Sequence, residues 1–175
     1  PPTTDWTAGD DGAETLVVTG TPGTGKTTAT EQLTVDADAE IIHLNDVLRE
    51  FDLYGERDAE RDSLVTDLEA VKEHLGEWRG IVESHLAHHL EADRVVVGMD
   101  CIVDDTLYNR VGTYPLATAA AQEDVPMTVI GADSKFVDGA FAFETEIRSP
   151  SEVHREPADE FTVGNPAYDA TPLSL

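Results

Sequence analysis

The stretch that decides the fold is Gly20-Thr21-Pro22-Gly23-Thr24-Gly25-Lys26-Thr27. It matches every fixed position of the phosphate-binding loop pattern, in which two glycines separated by four residues are followed by Lys and then Ser or Thr. Residues 16–19 before it predict a short buried strand, and residues 26–33 after it predict a helix whose N-terminal amides face an anion. An ordinary loop is the alternative. The positions of the lysine and the hydroxyl after a strand and before a helix favour the phosphate-binding interpretation.

Each fixed residue of this motif has a chemical role. Glycines have no Cβ, so consecutive backbone N–H groups can turn inward and surround phosphate oxygens. Lys26 would reach the β- and γ-phosphates of a nucleotide, and the Thr27 hydroxyl would ligate Mg²⁺. ATP with Mg²⁺ is therefore the predicted cofactor. The predicted nucleotide-binding residues are Gly20, Pro22, Gly23, Thr24, Gly25, Lys26, Thr27 and Thr28.

The charge of the chain restricts its surroundings and partners. Its 175 residues include 36 acidic and 11 basic residues, for a net charge of −25, while 40% of the residues are hydrophobic. Such an acidic chain would repel the phosphates of duplex nucleic acid. The hydrophobic fraction favours a folded protein with an acidic surface over disorder, and we expect a high-salt cytoplasm of the haloarchaeal kind, where salt screens the self-repulsion. The single cysteine excludes an internal disulfide, and no apolar run approaches a membrane span.

The first half of the chain also predicts an acceptor site. After a flexible lead at residues 1–15, we expect a strand at 40–44 and a helix capped by Asn45 or Asp46, which would carry Arg49 one turn from the strand end. Arg49 could hold a second phosphate there or be an ordinary surface arginine. Residues 54–62 predict a mobile segment over a substrate, and residues 63–75 show the apolar period of a helix.

A strand predicted at residues 80–85 ends in an acid and an imidazole. In a protein with a phosphate-binding loop, an acid at the end of a neighbouring strand is suited to hold Mg²⁺ or its water shell. Glu83 is a candidate for this role, with His85 to orient it, and a solvated pair at a strand end is the alternative. The nearby His88 and His89 lack the further ligands of a zinc site, so we interpret them as surface residues.

Segments 20–28, 45–50, 82–85 and 92–97 together resemble the archaeal and nuclear adenylate kinase family of the isoenzyme 6 type. This resemblance implies phosphotransfer from ATP to AMP, an ATPase side activity and, through the eukaryotic members, a ribosome-related partner. It implies that Arg49 binds the phosphate of the acceptor nucleotide. Glu83 and His85 stand at the acid-x-His motif of that family, with Glu in place of Asp.

After residues 95–97 the lid arginines of such kinases are missing. Segments 98–105, 109–117, 125–130 and 165–172 instead resemble the C-terminal part of the translation initiation factor 2B alpha-like family, which includes archaeal ribose-1,5-bisphosphate isomerase. This second resemblance implies that Asp100 is the isomerase acid, and that Asn109 and Arg110 contact phosphate, with Arg in place of Lys. The catalytic cysteine of that family belongs to an upstream part, so Cys101 is interpreted as a small buried residue.

We therefore predict a chimera of two families, with a kinase-like portion at residues 16–97 and an initiation-factor-like portion at residues 98–175. The predicted fold is an α/β three-layer sandwich with a mainly parallel sheet, the phosphate loop at its first strand and a Rossmann-like second half. A strand at 95–99, a helix at 114–122 and a strand at 127–130 would form another strand-helix-strand unit that extends the sheet. An edge strand at 143–147 and an extended tail are also expected. The second resemblance implies that this tail could take part in a homodimeric contact.

Three functions compete at this point. The first is adenylate kinase-type transfer or slow ATP hydrolysis, weakened because water is poorly excluded without the lid. The second is a non-catalytic nucleotide-binding or assembly protein. The third is an isomerase-like sugar-phosphate site without its nucleophile. Nucleotides are the expected ligands, and neither duplex nucleic acid nor a membrane is an expected partner.

Overall fold

The computed structural model describes residues 14–20, 26–33, 40–58, 63–137, 142–154, 156 and 160–175. The chain divides into two compact units between Val97 and Gly98. The first unit contains strands β1 (Thr15–Thr19), β2 (Ile41–His43), β3 (Tyr54–Asp58), β4 (Ser63–Thr66), β5 (Gly80–Glu83) and β6 (Arg94–Gly98), and helices α1 (Lys26–Leu33), α2 (Leu44–Glu50) and α3 (Leu68–Leu75). The second contains β7 (Cys101–Val103), β8 (Thr106–Arg110), α4 (Thr113–Gln122), β9 (Met127–Ile130), β10 (Phe136–Val137) and β11 (Tyr168–Pro172).

A parallel sheet in the order β2-β5-β1-β6 forms the centre of the first unit. Its strands are short runs of branched residues, and Val17, Val82 and Val97 are almost completely buried. Strands buried on both faces in this way are typical of parallel sheets, because the crossover helices cover them. The predicted α/β fold with a mainly parallel sheet is confirmed.

The residues between α2 and α3 differ from the prediction. Residues 54–58, predicted as mobile, form β3, and residues 63–66, predicted as the start of a helix, form β4 antiparallel to it. The helix begins only at Leu68, because the Asp67 side chain accepts from the backbone N–H of Ala70 and caps it. Residues 59–62 lie outside the described ranges.

The start of α2 also differs from the prediction. The helix begins at Leu44 directly after β2, with His43 at the N-cap position and without a side-chain cap. Asn45 was predicted as a cap, but its side-chain oxygen accepts instead from the buried Ser84 hydroxyl at 3.0 Å. The predicted cap is therefore wrong, and Asn45 connects α2 to the chain after β5.

In the second unit, an antiparallel hairpin of β7 and β8 is flanked by β10 and β11 in the order β10-β7-β8-β11. Met99, Ile102 and Leu107 form its buried cluster, with Val129 packed against them. The helix predicted at 114–122 and the strand predicted at 127–130 are confirmed as α4 and β9.

Two parts of the second unit differ from the prediction. The hairpin at 101–110 was not predicted. The edge strand predicted at 143–147 is wrong, because pairing there is limited to an isolated bridge between Ile147 and Pro166, and a proline has no N–H to extend a ladder. Phe143 instead stacks on Tyr108, with ring centroids 4.2 Å apart. The extended tail predicted from Pro150 onwards is confirmed only in part. Residues Tyr168–Pro172 form β11, which pairs with β8, but Pro150–Glu152 form a short 3₁₀ helix.

Candidate functional site

Three neighbouring parallel strands of the first unit end at polar side chains. β1 ends at Thr19, β2 at His43 and β5 at Glu83. Parallel strands point their carboxyl ends to the same edge of a sheet, and ligands of open α/β sheets bind outside that edge. The carboxyl edge of β2, β5 and β1 is therefore the candidate site.

The chain leaves β1 towards α1 through the predicted phosphate loop. Gly20 has a φ of 132°, a backbone conformation that favours glycine. Thr21, Pro22, Gly23, Thr24 and Gly25 lie outside the described ranges, so the course of the loop stays a prediction. α1 begins at Lys26, and both Thr27 and Thr28 are exposed in its first turn.

The first turn of α1 is held from within by Thr30. This residue is completely buried, and its hydroxyl is 2.9 Å from the Thr27 carbonyl and 3.2 Å from the Lys26 carbonyl. Such bonding to preceding carbonyls satisfies a hydroxyl that has no access to water. It fixes the part of α1 that carries the predicted nucleotide-binding side chains.

Glu83 connects α1 to two strands of the sheet. The Thr27 hydroxyl donates to Glu83 Oε2 at 3.1 Å, and His43 Nδ1 lies 3.2 Å from the same oxygen. His43 and Glu83 are partners in the register of β2 and β5, and only 7% of the Glu83 side chain is exposed. A buried carboxylate is thus held by hydrogen bonds from two different elements.

Lys26 lies in an environment that favours binding an anion. Burial lowers the pKa of Lys26, while the charge of Glu83 opposes that shift. A partly desolvated ammonium group gains more from a phosphate than an ammonium group in free solution does, because the surrounding dielectric constant is lower. Lys26 and Glu83 were both predicted as site residues, and the structure places them close enough for their charges to interact.

The histidines after β5 have separate roles in the structure. The His85 side chain is exposed, and its backbone carbonyl lies 3.4 Å from the Thr19 hydroxyl. His88 and His89 are exposed, as predicted, but His88 Nδ1 also lies 3.3 Å from the Thr19 hydroxyl. Partial desolvation and the neighbouring His89 lower the pKa of His88. The chain after β5 therefore contacts Thr19, the last residue before the phosphate loop.

Arg49 lies near the end of α2, the helix that follows β2. Its guanidinium is 3.1 Å from the Asp46 carboxylate, and both side chains are more than 70% exposed. An exposed ion pair of this kind contributes little to stability, so Arg49 can exchange Asp46 for another anion at low cost.

The second unit contains a separate charged cluster. Arg110 Nε is 3.7 Å from Asp100 Oδ2, and the guanidinium carbon is 4.6 Å from the centre of the Tyr168 ring. Asp100 Oδ2 and Arg110 Nη1 are buried and make no hydrogen bond within the described residues. Asn109, predicted beside Arg110 as a phosphate contact, donates to the Gly98 carbonyl and the Thr113 hydroxyl.

Cys101 differs from its predicted state. It was predicted as a small buried residue, but it lies at the start of β7 with intermediate exposure. The prediction is therefore wrong for Cys101, whereas the next two residues of β7, Ile102 and Val103, are buried.

His43 is the site residue that the sequence analysis missed. A histidine at the end of a predicted strand was visible, but its importance depends on β2 lying directly beside β5. The feature that could have identified His43 is its position at the end of a predicted strand, since polar residues that end neighbouring parallel strands lie at one edge of the sheet.

The oxygen atoms of this edge suit a hard cation. Thr27 supplies a hydroxyl and Glu83 a carboxylate, and Mg²⁺ prefers such ligands together with waters and substrate phosphates. Among the described ranges, no group of three or more His, Cys, Asp or Glu side chains is placed to hold a metal ion.

The fold and the site together define an α/β protein with polar residues gathered at the carboxyl edge of a parallel sheet. Residues 16–113 match the AAA domain family, and residues 77–175 match the Initiation factor 2 subunit family. Each match covers more than half of the chain, so the chain belongs to both families, and the predicted combination of two families is confirmed.

Curated relatives include proteins named after each of two enzyme activities. A "Putative adenylate kinase" of Natronomonas pharaonis is 60% identical over 83 residues, which is 47% of this chain and 48% of that protein. One of Halobacterium salinarum is 37% identical over 145 residues, covering 79% of this chain and 84% of that protein. A "Putative methylthioribose-1-phosphate isomerase" of Methanosarcina acetivorans is 31% identical over 93 residues, 49% of this chain and 27% of that protein. The chain spans about half the length of the first of these relatives.

Solved structures show the same fold. The 5-methylthioribose 1-phosphate isomerase of Pyrococcus horikoshii matches with a TM-score of 0.54 and 21% identity, over 93% of this chain and 48% of that chain. The delta subunit of initiation factor eIF-2B from A. fulgidus matches with a TM-score of 0.54 and 19% identity, over 92% and 49%. No helix in the described part of the chain is long and apolar enough to cross a membrane.

Proposed function

We propose that the protein binds ATP with Mg²⁺ at the carboxyl edge of the first unit and transfers the γ-phosphoryl group to AMP. The observation that carries this proposal is the contact between the Thr27 hydroxyl, at the start of α1, and the buried Glu83 carboxylate at the end of β5. It brings together a hydroxyl that can ligate Mg²⁺ and a carboxylate that can hold this hydroxyl in position. The similarity to proteins named as adenylate kinases supports the choice of acceptor.

In this reaction an oxygen of the AMP phosphate forms a bond to Pγ, and the bond from Pγ to the β-γ bridging oxygen breaks. Two ADP molecules result. Catalysis consists of positioning and charge neutralisation rather than covalent chemistry. Lys26 would neutralise the β- and γ-phosphates, Arg49 would bind the phosphate of AMP, and the loop residues Gly20, Pro22, Gly23, Thr24 and Gly25 would surround the phosphates with backbone N–H groups, except at the proline. Thr28 would add a hydroxyl beside the phosphates.

The Mg²⁺ ion would supply neutralisation of the charge that develops on the phosphate oxygens. Thr27 would hold it through its hydroxyl oxygen, while Glu83 accepts the hydrogen bond from the same hydroxyl. Such a role needs a carboxylate that stays fixed, and burial with two hydrogen-bond donors fulfils this requirement. His85 was predicted to orient Glu83, but its side chain is exposed, while Glu83 is hydrogen-bonded to Thr27 and His43. His43 is therefore the better candidate for that role.

The test is ADP formation from ATP and AMP in multimolar KCl, which screens the acidic surface. Lys26→Ala should lower the rate by on the order of 100-fold, because one preorganised charge contact is lost. The matched control is Lys72→Ala, since Lys72 is an exposed lysine paired with Glu69 on α3. AMP-dependent turnover that is equal in both variants would contradict the proposal. ATP binding without turnover would favour the assembly alternative.

A second candidate function follows from the charged cluster of the second unit. We propose that this unit retains affinity for phosphate esters of sugars, because Asp100 and Arg110 present buried atoms without hydrogen-bond partners among the described residues. Titration with ribose 5-phosphate tests this. Binding should be lost in Arg110→Gln and kept in Lys26→Ala. Binding that is unchanged in Arg110→Gln would contradict it.

A further inference from the structure

Two neighbouring strands of the first unit end in a paired histidine and carboxylate. His43 and Glu83 are register partners of β2 and β5, and His43 Nδ1 lies 3.2 Å from Glu83 Oε2. About one third of the His43 side chain is exposed, compared with 7% for Glu83. The histidine is therefore the more solvent-accessible member of the pair.

The chemistry of a carboxylate determines the direction of these hydrogen bonds. An ionised carboxylate can only accept hydrogen bonds, so a pair with ionised Glu83 requires the proton on His43 Nδ1, and the Thr27 hydroxyl also donates to Oε2. Two donors from two different elements restrict the rotation of the Glu83 side chain. Because the Thr27 proton points to Glu83, the lone pairs of that hydroxyl point elsewhere and stay available for a cation.

We propose that His43 is a positioning residue of the nucleotide site, which holds Glu83 so that the Thr27 hydroxyl keeps its lone pairs towards the Mg²⁺ of a bound nucleotide. This inference rests on the proposed function. Without the Nδ1 donor, Glu83 would have one partner fewer and could rotate away from Thr27. Partners of this kind that orient metal-binding groups affect metal affinity by about 10–100-fold.

Two conservative variants of His43 test whether a hydrogen-bond donor is needed at the position of Nδ1. The amide nitrogen of Asn can occupy a place close to that of Nδ1, whereas the longer Gln side chain places its amide nitrogen closer to the position of Nε2. His43→Asn should therefore keep the hydrogen bond to Glu83, and His43→Gln should lose it. His43→Leu removes every donor. His154→Leu, in which an exposed histidine of the second unit is changed, is the matched control.

The measurement is the binding of a fluorescent ATP analogue as a function of Mg²⁺ concentration in multimolar KCl, with thermal melts to establish folding. We expect the half-maximal Mg²⁺ concentration to rise about 10-fold or more in His43→Gln and His43→Leu, and to stay within about threefold of the wild-type value in His43→Asn and His154→Leu. The kcat for ADP formation should change in the same order.

Equal Mg²⁺ dependence of the Asn and Gln variants would overturn the inference, and this comparison remains decisive if the Leu variant does not fold. Wild-type protein that binds the analogue, together with unchanged His43 variants, would leave the proposed function standing and remove only the role of His43. Wild-type protein that binds no nucleotide at any Mg²⁺ concentration would overturn both.

Discussion

Gly80→Ala provides the sharpest test of how the sheet supports the site. Gly80 begins β5 with a φ of 93°, and a Cβ at this position would lie 2.5 Å from the backbone carbonyl oxygen of Glu40. The same oxygen accepts the hydrogen bond from the Ile81 N–H at 2.9 Å. The clash is therefore with backbone that is already held in place, and it cannot be relieved by rotating a side chain.

The expected cost has two parts. A residue with a Cβ in the left-handed region costs about 1–2 kcal/mol. The forced separation of β2 and β5 resembles overpacking of a core, which costs about 1–3 kcal/mol. We expect Gly80→Ala to lower the free energy of unfolding by about 2–5 kcal/mol, a large part of the total stability of a typical domain.

The control is Gly76→Ala, since Gly76 also has a positive φ, 55°, but no atom lies within 4 Å of the place that a Cβ would take there. It should show only the cost of the backbone conformation, about 1–3 kcal/mol, because a φ of 55° with a ψ of −138° is sparsely populated by residues with a Cβ. Denaturant unfolding in multimolar KCl measures both. Gly80 begins β5, which ends at Glu83, and Glu40 immediately precedes β2, which ends at His43. Gly80→Ala should therefore also weaken Mg²⁺-dependent nucleotide binding. Equal destabilisation by the two substitutions would refute the reasoning.

Two further predictions concern a helix end and a partly desolvated imidazole. The Asp169 carboxylate accepts hydrogen bonds from two backbone N–H groups at the start of α4, at 2.7 and 3.1 Å. Asp169→Ala should therefore lower the free energy of unfolding by about 1 kcal/mol in denaturant measurements, and Asp169→Asn should lower it less. Equal losses of stability in the two variants would contradict this capping role. Because desolvation lowers the pKa of His88 in the folded state, the unfolded state binds that proton more readily. Stability should thus fall as the pH drops through about 6.5, the ordinary histidine value. His88→Asn should lose less stability than the wild type over that range in unfolding measurements, and parallel pH curves would contradict the prediction.

Local patterns in the sequence predicted the framework of the first unit. The valine runs of β1 and β6 and the helix after the phosphate loop follow from residue type alone, because branched residues in short runs favour buried strands. The position of Glu83 at the end of a strand followed in the same way. These predictions depend on residues that are close in sequence.

Predictions were less successful where they depended on which strands pair, or where a segment fitted both a helical and a strand pattern. Leu64 fits the helical period of Leu68 and Val71, yet it belongs to β4, since Asp67 caps the helix and starts it later. The contact of His43 with Glu83 requires the spatial order of the strands, which the order along the chain leaves open. The β7-β8 hairpin had a local signal in the sequence, since aspartates such as Asp104-Asp105 are common in turns. In the structure Asp104 adopts the positive φ that such two-residue turns require.

The strand β11 has a consequence for how the chain is synthesised. It pairs along all of β8, although α4, β9 and β10 leave the ribosome between the two strands. The strands β2, β5, β1 and β6 of the first unit can pair with one another as soon as β6 has emerged, but β8 must wait with an open edge until β11 arrives. An open edge can pair with another chain, and polar residues such as Asn109 and Arg110 in β8 reduce that risk during the delay.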